Sequence, residues 1–395
     1  MQALKTIKAH VVKDRSYILA NVTPGRHLLE SYVRRYGVNS SSYVLLEGAK
    51  RYFTSPRAGG FIAYQTCAGV AVIGGDPVCA VEDAPALIED FLAAMGPRPV
   101  CAYQVMPEML EAFRHAGFDG VQIGSEAVFD LSRFTLAGGQ MELVRAAINK
   151  ARREGVVVSE HDPFAFGAGP INAEMRAVSD EWLRAKGNRE MGFLLGGLEL
   201  ERRTAKRYFI ARSEGGAGRI EGFIVCEPIY GRGGYYLDVT RRRPDAVRGT
   251  MELLTAEIFK LLCDEGCLMA SMGLAPLANI DDPDLDRHPR LRRLMQFAYE
   301  RVEDTYDFKQ LYRYKAKYHP HAWERRYFCF RPRISPRVLY ATLQVRDAFS
   351  ARELFSRIRS APAARGPQIG LWGKIESWKH AASFIIGLCA ALLLW

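Results

Sequence analysis

The sequence predicts an α+β protein in which one plan is used twice, each copy a mixed sheet flanked by helices. Three observations carry this expectation. Residues 60–80, GFIAYQTCAGVAVIGGDPVCA, read as two strands around a tight turn; a helical pattern (82–96), an apolar strand run (99–105) and a second helical pattern (106–118) follow. Residues 205–239 break at Gly-rich turns into three strands, followed by a helix over 247–266 and a strand with a loop over 268–277. With 395 residues, 48% of them hydrophobic, the chain can build cores for two such units.

Antiparallel hairpin, helix, strand, helix is the plan of N-acetyltransferase-like folds, so a tandem pair is expected. The first domain covers 1–134 and a linker helix 135–155, where GQMELVRAAINKARREG has helical apolar spacing and closes on Gly155. A second, catalytic domain covers 156–335. Residues 336–380 read as a linker and basic segment containing RSAPAARGPQIG, and 381–395 as a C-terminal apolar helix.

That last stretch, AASFIIGLCAALLLW, has 15 residues without a charge. A helix of this length spans roughly 22 Å at ~1.5 Å per residue, short of the ~30 Å hydrocarbon core. It suits a minimal tail anchor or a helix dipping into one leaflet. The basic residues before it, Arg357, Arg359, Arg365, Lys374 and Lys379, would keep the protein on the cytoplasmic face of a bacterial membrane. A buried terminal helix is the alternative, disfavoured because the apolar residues run all round. No secretory signal opens the chain, since MQALKTIKAHVVKDR lacks an apolar core.

The formal charge of +10 favours polyanionic partners such as nucleic acid or anionic lipid. It is concentrated, because residues 287–333 hold 13 Lys/Arg against 5 Asp/Glu. The eight cysteines are scattered and form no C-x-x-C pair, which points to free thiols and away from a zinc site.

Two stretches carry chemistry. In YYLDVTRRRPDAVRG (235–249) a strand runs into Asp238, the arginines follow, Pro244 ends the ladder, and Gly249 stands where the next helix begins. A proton acceptor beside guanidinium groups and a helix N-terminus suits a site that handles both a proton and a phosphate; a solvated turn with Asp238 paired to an arginine explains the same residues. Acetyl-coenzyme A enzymes of this fold carry Q/R-x-x-G-x-G/A here. DAVRGTM keeps Gly249 but has Asp245 first and Met251 last, so coenzyme A is not expected. The second stretch, FKQLYRYKAKYHPHAWERRYF (308–328), interleaves rings with Lys309, Arg313, Lys315, Lys317, Arg325 and Arg326. Phosphate-neutralising groups among stacking rings suit single-stranded RNA such as a tRNA acceptor end. A final strand or helix with core aromatics and solvated charges is the alternative.

Five ordered motifs, GGDPV, WLRAKGNREMGFLLGG, YLDVTRRRPDAVRGTME, MGLAPLA and YKAKYHPHAWERRY, resemble those of the soluble domain of lysylphosphatidylglycerol synthases, the aminoacyl-phosphatidylglycerol transferases associated with resistance to cationic peptides. The resemblance implies a tandem N-acetyltransferase-like fold. It also implies transfer of an aminoacyl group, lysyl or alanyl first, from aminoacyl-tRNA to phosphatidylglycerol. It places Asp238 and Arg241 in a D-x-x-R motif, Glu190 and Phe193 in E-x-x-F-x-x-G, and Lys315 and Lys317 in K-x-K. Two departures stand out: His321 and Ala322 separate Pro320 from Trp323 where the family has one residue, and no flippase domain is present, so any lipid translocation would fall to a separate partner.

An aminoacyl ester is already activated, so neither a cofactor nor a metal is expected. Asp238 is expected as base or orienting group, Arg241 and Arg242 as phosphate ligands, and Lys315 and Lys317 at the tRNA phosphates or the oxyanion. Glu190 would meet the amino group, while Phe193, Gly249, Lys309, Arg313, Trp323 and Arg326 complete the substrate-binding set. Alternatives are another lipid or a cell-wall precursor as acceptor, or a non-catalytic tRNA- or lipid-binding protein.

Overall fold

The computed structural model describes residues 24–186, 193, 194, 196–216, 218–280, 293, 295 and 308–345. Glu190 and the apolar stretch 381–395 lie outside them. No helix among the described residues is long and apolar enough to cross a membrane.

The first half contributes helix α1 (Arg26–Tyr36), strands β1 (Arg51–Ser55), β2 (Ala58–Cys67), β3 (Val70–Gly74) and β4 (Val78–Cys79), helix α2 (Ala84–Met95), β5 (Val100–Val105), α3 (Pro107–His115) and β6 (Asp119–Asp130). The β2–β3 turn needs two left-handed residues, supplied by Ala68 (φ 47°) and Gly69 (φ 73°). After α4 (Glu142–Arg153), the second half repeats the plan: β7 (Val157–His161), α5 (Gly169–Lys186), β8 (Arg207–Arg212), β9 (Ile220–Ile229), β10 (Gly234–Arg242), α6 (Thr250–Asp264), β11 (Met269–Pro276), α7 (Phe308–Ala316) and β12 (Ala322–Arg331).

Each half has an antiparallel hairpin leading through a helix to a parallel strand, as N-acetyltransferase-like units do: β3 pairs β5, and β10 pairs β11, in parallel. The two halves share one sheet, ordered β1-β2-β3-β5-β12-β6-β11-β10-β9-β8-β7, with β4 paired to β2. Their last strands are exchanged: β12 from the second half pairs β5, β6 from the first pairs β11, and β6 and β12 pair each other. Neither half therefore completes its sheet with its own chain.

Helices cover both faces. On the first half, Leu87, Ile88 and Phe91 of α2 bury against Ile62, Ile73 and Ala102, while α1 lays Leu29 and Val33 on the opposite side. Residues 336–345, expected to begin a linker, instead form helix α8 (Pro336–Val345) and bury Val338, Leu339 and Leu343 in that same core. On the second half, Val144, Ile148 and Ala151 of α4 share one helical stripe and pack with Leu254 and Ile258 of α6. Each such side chain contributes about 1.5–3 kcal/mol through removal from water.

Gly249 caps α6 at φ +96°, and a Cβ there would lie 2.0 Å from the Ala147 carbonyl oxygen of α4. Its identity follows from this close approach. Gly249→Ala is expected to destabilise the fold by about 1–3 kcal/mol, through left-handed strain and displacement of α4. Urea denaturation checks it: an unchanged midpoint would show that α4 yields freely.

Candidate active site

Strands β10 and β11 pair in parallel only at Gly234–Met269, Tyr235–Ala270 and Tyr236–Ser271, although β10 continues to Arg242 and β11 to Pro276. Beyond Tyr236 they part, leaving a wedge between them. Both diverging strands are irregular at this point. Asp238 sits in a break of register between β10 and β9, and Met272 and Gly273 (φ +75°) sit in one between β11 and β6. The bulge re-aims the Asp238 carboxylate, and Gly273 makes room for Tyr236, whose ring a Cβ would meet at 2.7 Å.

Among the described residues, the corresponding place in the first half is filled. Its parallel strands pair up to Gly74–Tyr103, and the gap beyond is filled by Asp76 and Asn39. Asp76 accepts from the Met106 N–H at 3.0 Å; Asn39 donates to Asp76 at 2.7 Å and to the Gln104 carbonyl at 2.9 Å. Burial pushes the Asp76 carboxyl up to about 6.

Sheet register explains which side chains meet in the wedge. Glu227 on β9 lies opposite Tyr236, which lies opposite Ser271, and Lys206 directly precedes β8, where Arg207 faces Cys226. A polar row thus crosses four strands on one face. Asp238 joins it through the bulge, where Leu237 and Val239 turn into different cores. The Lys206 ammonium is fully enclosed, 2.8 Å from Glu47 and 3.0 Å from Glu227, and donates to the Gly197 carbonyl at 2.7 Å. Half-buried Asp238 accepts from the Gly196 N–H at 2.6 Å and from the Tyr236 hydroxyl.

Three carboxyl groups face one ammonium here, so they cannot all ionise easily. Burial pushes Glu227 up to about 8 and Glu47 to about 7. Asp238 is raised to about 6, with burial driving the rise and Lys206 opposing it. Lys206 itself stays charged: burial works against its proton, but Glu227, Glu47 and Asp238 outweigh it.

The far wall belongs to α7. Lys315 points inward, buried, and donates to the carbonyls of Gly273 (3.0 Å) and Leu274 (2.6 Å) on the irregular part of β11. Burial lowers this amine to about 7, Glu126 opposing. Glu126 accepts from Ser40 and Ser271 and pairs with Arg326 at 2.6 Å. Next along, Arg326 meets Glu324, which Arg232 grips through two hydrogen bonds of 2.6 and 2.9 Å.

The residues expected at the site are sorted by this geometry. Asp238 lies on β10, and Lys315 reaches the β11 side of the wedge from helix α7. Arg241 lies 4.2 Å over the Trp182 ring, and Arg242 is exposed. Arg243 is committed to Glu181 and Glu174. Phe193 is not at a surface but packs in the first-half core. Gly249 starts α6, yet the preceding loop already holds an internal anion, because the buried Glu221 carboxylate accepts from the Val247 N–H at 3.0 Å.

The aromatic and basic stretch 308–328 is not one nucleic-acid surface. Lys315 and Arg326 point inward, and Arg326 has no exposed surface, so its expected substrate contact is corrected to a core ion pair. Lys317 pairs with Glu252 at 2.5 Å and lies 4.1 Å over Tyr314. Trp323 packs against Tyr312 with ring centroids 4.8 Å apart and the planes tilted by 32°. Arg313 is exposed and Lys309 half-buried. Sequence reasoning missed Glu47, Lys206, Glu227, Glu126 and Tyr236. An acid within an apolar run, Glu227 in FIVCEPIY and Glu126 in GSEAVF, was the available signal.

A splayed parallel strand pair with an acid on one strand and a buried helix amine against the other places the second half in the class of acyl-transferase-like folds with an open strand wedge. The chain belongs to the family described as phosphatidylglycerol lysyltransferase, C-terminal, whose family model matches residues 30–330. It is 30% identical over 306 residues to the phosphatidylglycerol lysyltransferase of Bacillus subtilis, covering 77% of this chain and 35% of that protein. It spans about a third of the length of the curated relatives it matches. Among solved structures, L-PGS from Bacillus licheniformis is similar at 29% identity and TM-score 0.69, over 82% of this chain and 96% of that one. The C-terminal domain assigned to a lysylphosphatidylglycerol synthetase of Agrobacterium fabrum is similar at 26% identity and TM-score 0.68, over 82% and 98%.

Proposed function

We propose that this protein transfers an aminoacyl group from aminoacyl-tRNA to the glycerol hydroxyl of phosphatidylglycerol, at the cytoplasmic face of the membrane. The observation that carries the reading is the wedge between β10 and β11, with Asp238 on one side and the Lys315 amine on the other, in a chain of the lysyltransferase C-terminal family.

In this reading the lipid hydroxyl attacks the ester carbonyl carbon and Asp238 takes its proton. The new C–O bond gives a tetrahedral oxyanion that the Lys315 ammonium stabilises. Collapse breaks the ester bond to the tRNA ribose, whose oxygen takes up a proton as it leaves. Arg241 and Arg242, at the end of β10, hold the lipid phosphate. Exposed Arg313, with Lys309 and Lys317, meets the tRNA backbone. Residues 381–395, outside the described structure, suit a membrane anchor by composition.

The ionisation of the two groups sets an expected pH profile. Asp238 acts when deprotonated, so turnover rises through about pH 6. Lys315 stabilises the oxyanion when protonated, so turnover falls above about pH 7. Lys315→Met is expected to lower kcat by roughly 10²–10³-fold and to remove the alkaline limb. A variant that keeps that limb would take Lys315 out of the reaction. The donor is tested by replacing charged tRNA with free amino acid and ATP: no product is expected, and product formation would overturn the tRNA step.

A further inference from the structure

We infer that Lys206 is a positioning residue for the reaction, which, clamped between Glu47 of the first half and Glu227 of the second, holds Asp238 in its carboxylate form. This deepens the reading of Asp238 as base and rests on that reading for its catalytic consequence.

A Cβ at Gly196 would lie 2.2 Å from Glu227, 2.5 Å from Asp238 and 3.0 Å from the Lys206 nitrogen, so the three side chains converge on one point of backbone. Lys206 is the ammonium among them, and it is anchored rather than free to swing: Glu47, Glu227 and the Gly197 carbonyl all lie within 3.0 Å. Its anchors come from both halves, which ties the wedge to the shared sheet. The carboxyl oxygens of Glu227 are buried, and the nearest cation that stabilises them is Lys206 at 3.0 Å, with Lys50 adding to it.

The groups facing Asp238 can be named element by element. Tyr236 comes from its own strand, Glu227 from β9, Lys206 from the residue before β8, Glu47 from the first half, and the Gly196 N–H from the intervening loop. Lys50 is set back, its ammonium donating to the Val44 and Glu47 carbonyls. Tyr236 and Gly196 donate to Asp238, Glu47 and Glu227 repel its charge, and Lys206 is the close cation opposing them. Gly196 and Gly197 explain the rest of the cluster: a side chain at Gly196 would displace the acids, and the Gly197 carbonyl fixes the ammonium.

The test reads Asp238 directly. Carbon-13 NMR of protein labelled at aspartate carboxyl carbons, with the resonance assigned by Asp238→Asn, gives its titration midpoint. Lys206→Met is expected to raise that midpoint by about 1–3 pH units, the effect of removing a nearby opposite charge, while Lys206→Arg restores it. Glu227→Gln breaks the same ion pair from the other side, yet is expected to leave the midpoint in place or lower it. A purely structural role would move the midpoint the same way in both variants. Coincident midpoints in wild type and Lys206→Met, or a rise in Glu227→Gln, would overturn the inference. The second criterion stands even if Lys206→Met does not fold. Transfer assays on the same samples separate the two claims: full turnover in Asp238→Asn removes the base reading, whereas an unmoved midpoint removes only the role of Lys206.

Discussion

Asp238→Asn is expected to lower kcat for the proposed aminoacyl transfer by about 10²–10⁴-fold, the range for loss of a positioned proton acceptor. The amide keeps the size of the carboxyl and can still accept from the Gly196 N–H, which lies 2.6 Å from Asp238. It cannot take a proton from the acceptor hydroxyl, so the loss falls on kcat with KM little changed. The substitution also removes one of three acids facing Lys206, which relieves repulsion with Glu47 and Glu227, so the variant folds at least as well as the wild type. A normally folded variant with near-normal turnover would end the case for Asp238 as base.

Glu126→Leu costs about 3–5 kcal/mol of stability, because it strands the buried Arg326 guanidinium. Arg326 has no exposed surface, and the Glu126 carboxylate at 2.6 Å is its nearest acid; Glu324 follows at 3.2 Å. A guanidinium cannot shed its charge to escape burial. The pair lies on β6 and β12, the two exchanged strands, so the loss is felt in both halves together. The double variant Glu126→Leu/Arg326→Leu recovers part of the loss, since replacing both partners by apolar groups removes the uncompensated charge. Equilibrium unfolding of the single and double variants checks this. A double variant less stable than Glu126→Leu would show that Arg326 has another essential partner.

How much of this was legible in the sequence depends on the range of each interaction. The β2–β3 hairpin, the β8–β10 strands and the helix over 142–153 follow from local apolar period and turn residues, and they were readable. Asp238 and Lys315 were readable as motif residues, although only the parting of β10 and β11 and the packing of α7 on β11 bring them to one region. The strand exchange was not readable. Pairing of β12 with β5 joins residues more than two hundred positions apart, and no local pattern fixes such a register. Arg326 misled for a related reason. In AWERRYFCF it reads as one more surface cation, but β12 lies at the centre of the sheet, where even a charged side chain is enclosed. Lys206 and Glu47 lie 159 residues apart, so their ion pair exists only once the two halves share a sheet.

The shared sheet also bears on how the site is held. The wedge belongs to the second half, but Glu47 reaches Lys206 from the first, and the Ala205 N–H donates to the Tyr43 hydroxyl at 2.9 Å. The first half, with Asp76 and Asn39 filling the place beyond its own parallel strands, borders the candidate site of the second through Glu47 and Tyr43.

The most direct measurement incubates the protein with phosphatidylglycerol vesicles and a tRNA pool charged in turn with each radiolabelled amino acid, then counts label in the lipid phase. Label is expected from lysine or alanine, abolished by ribonuclease and by Asp238→Asn. Absence of lipid label from every charged amino acid, with folded protein and intact tRNA, would contradict it.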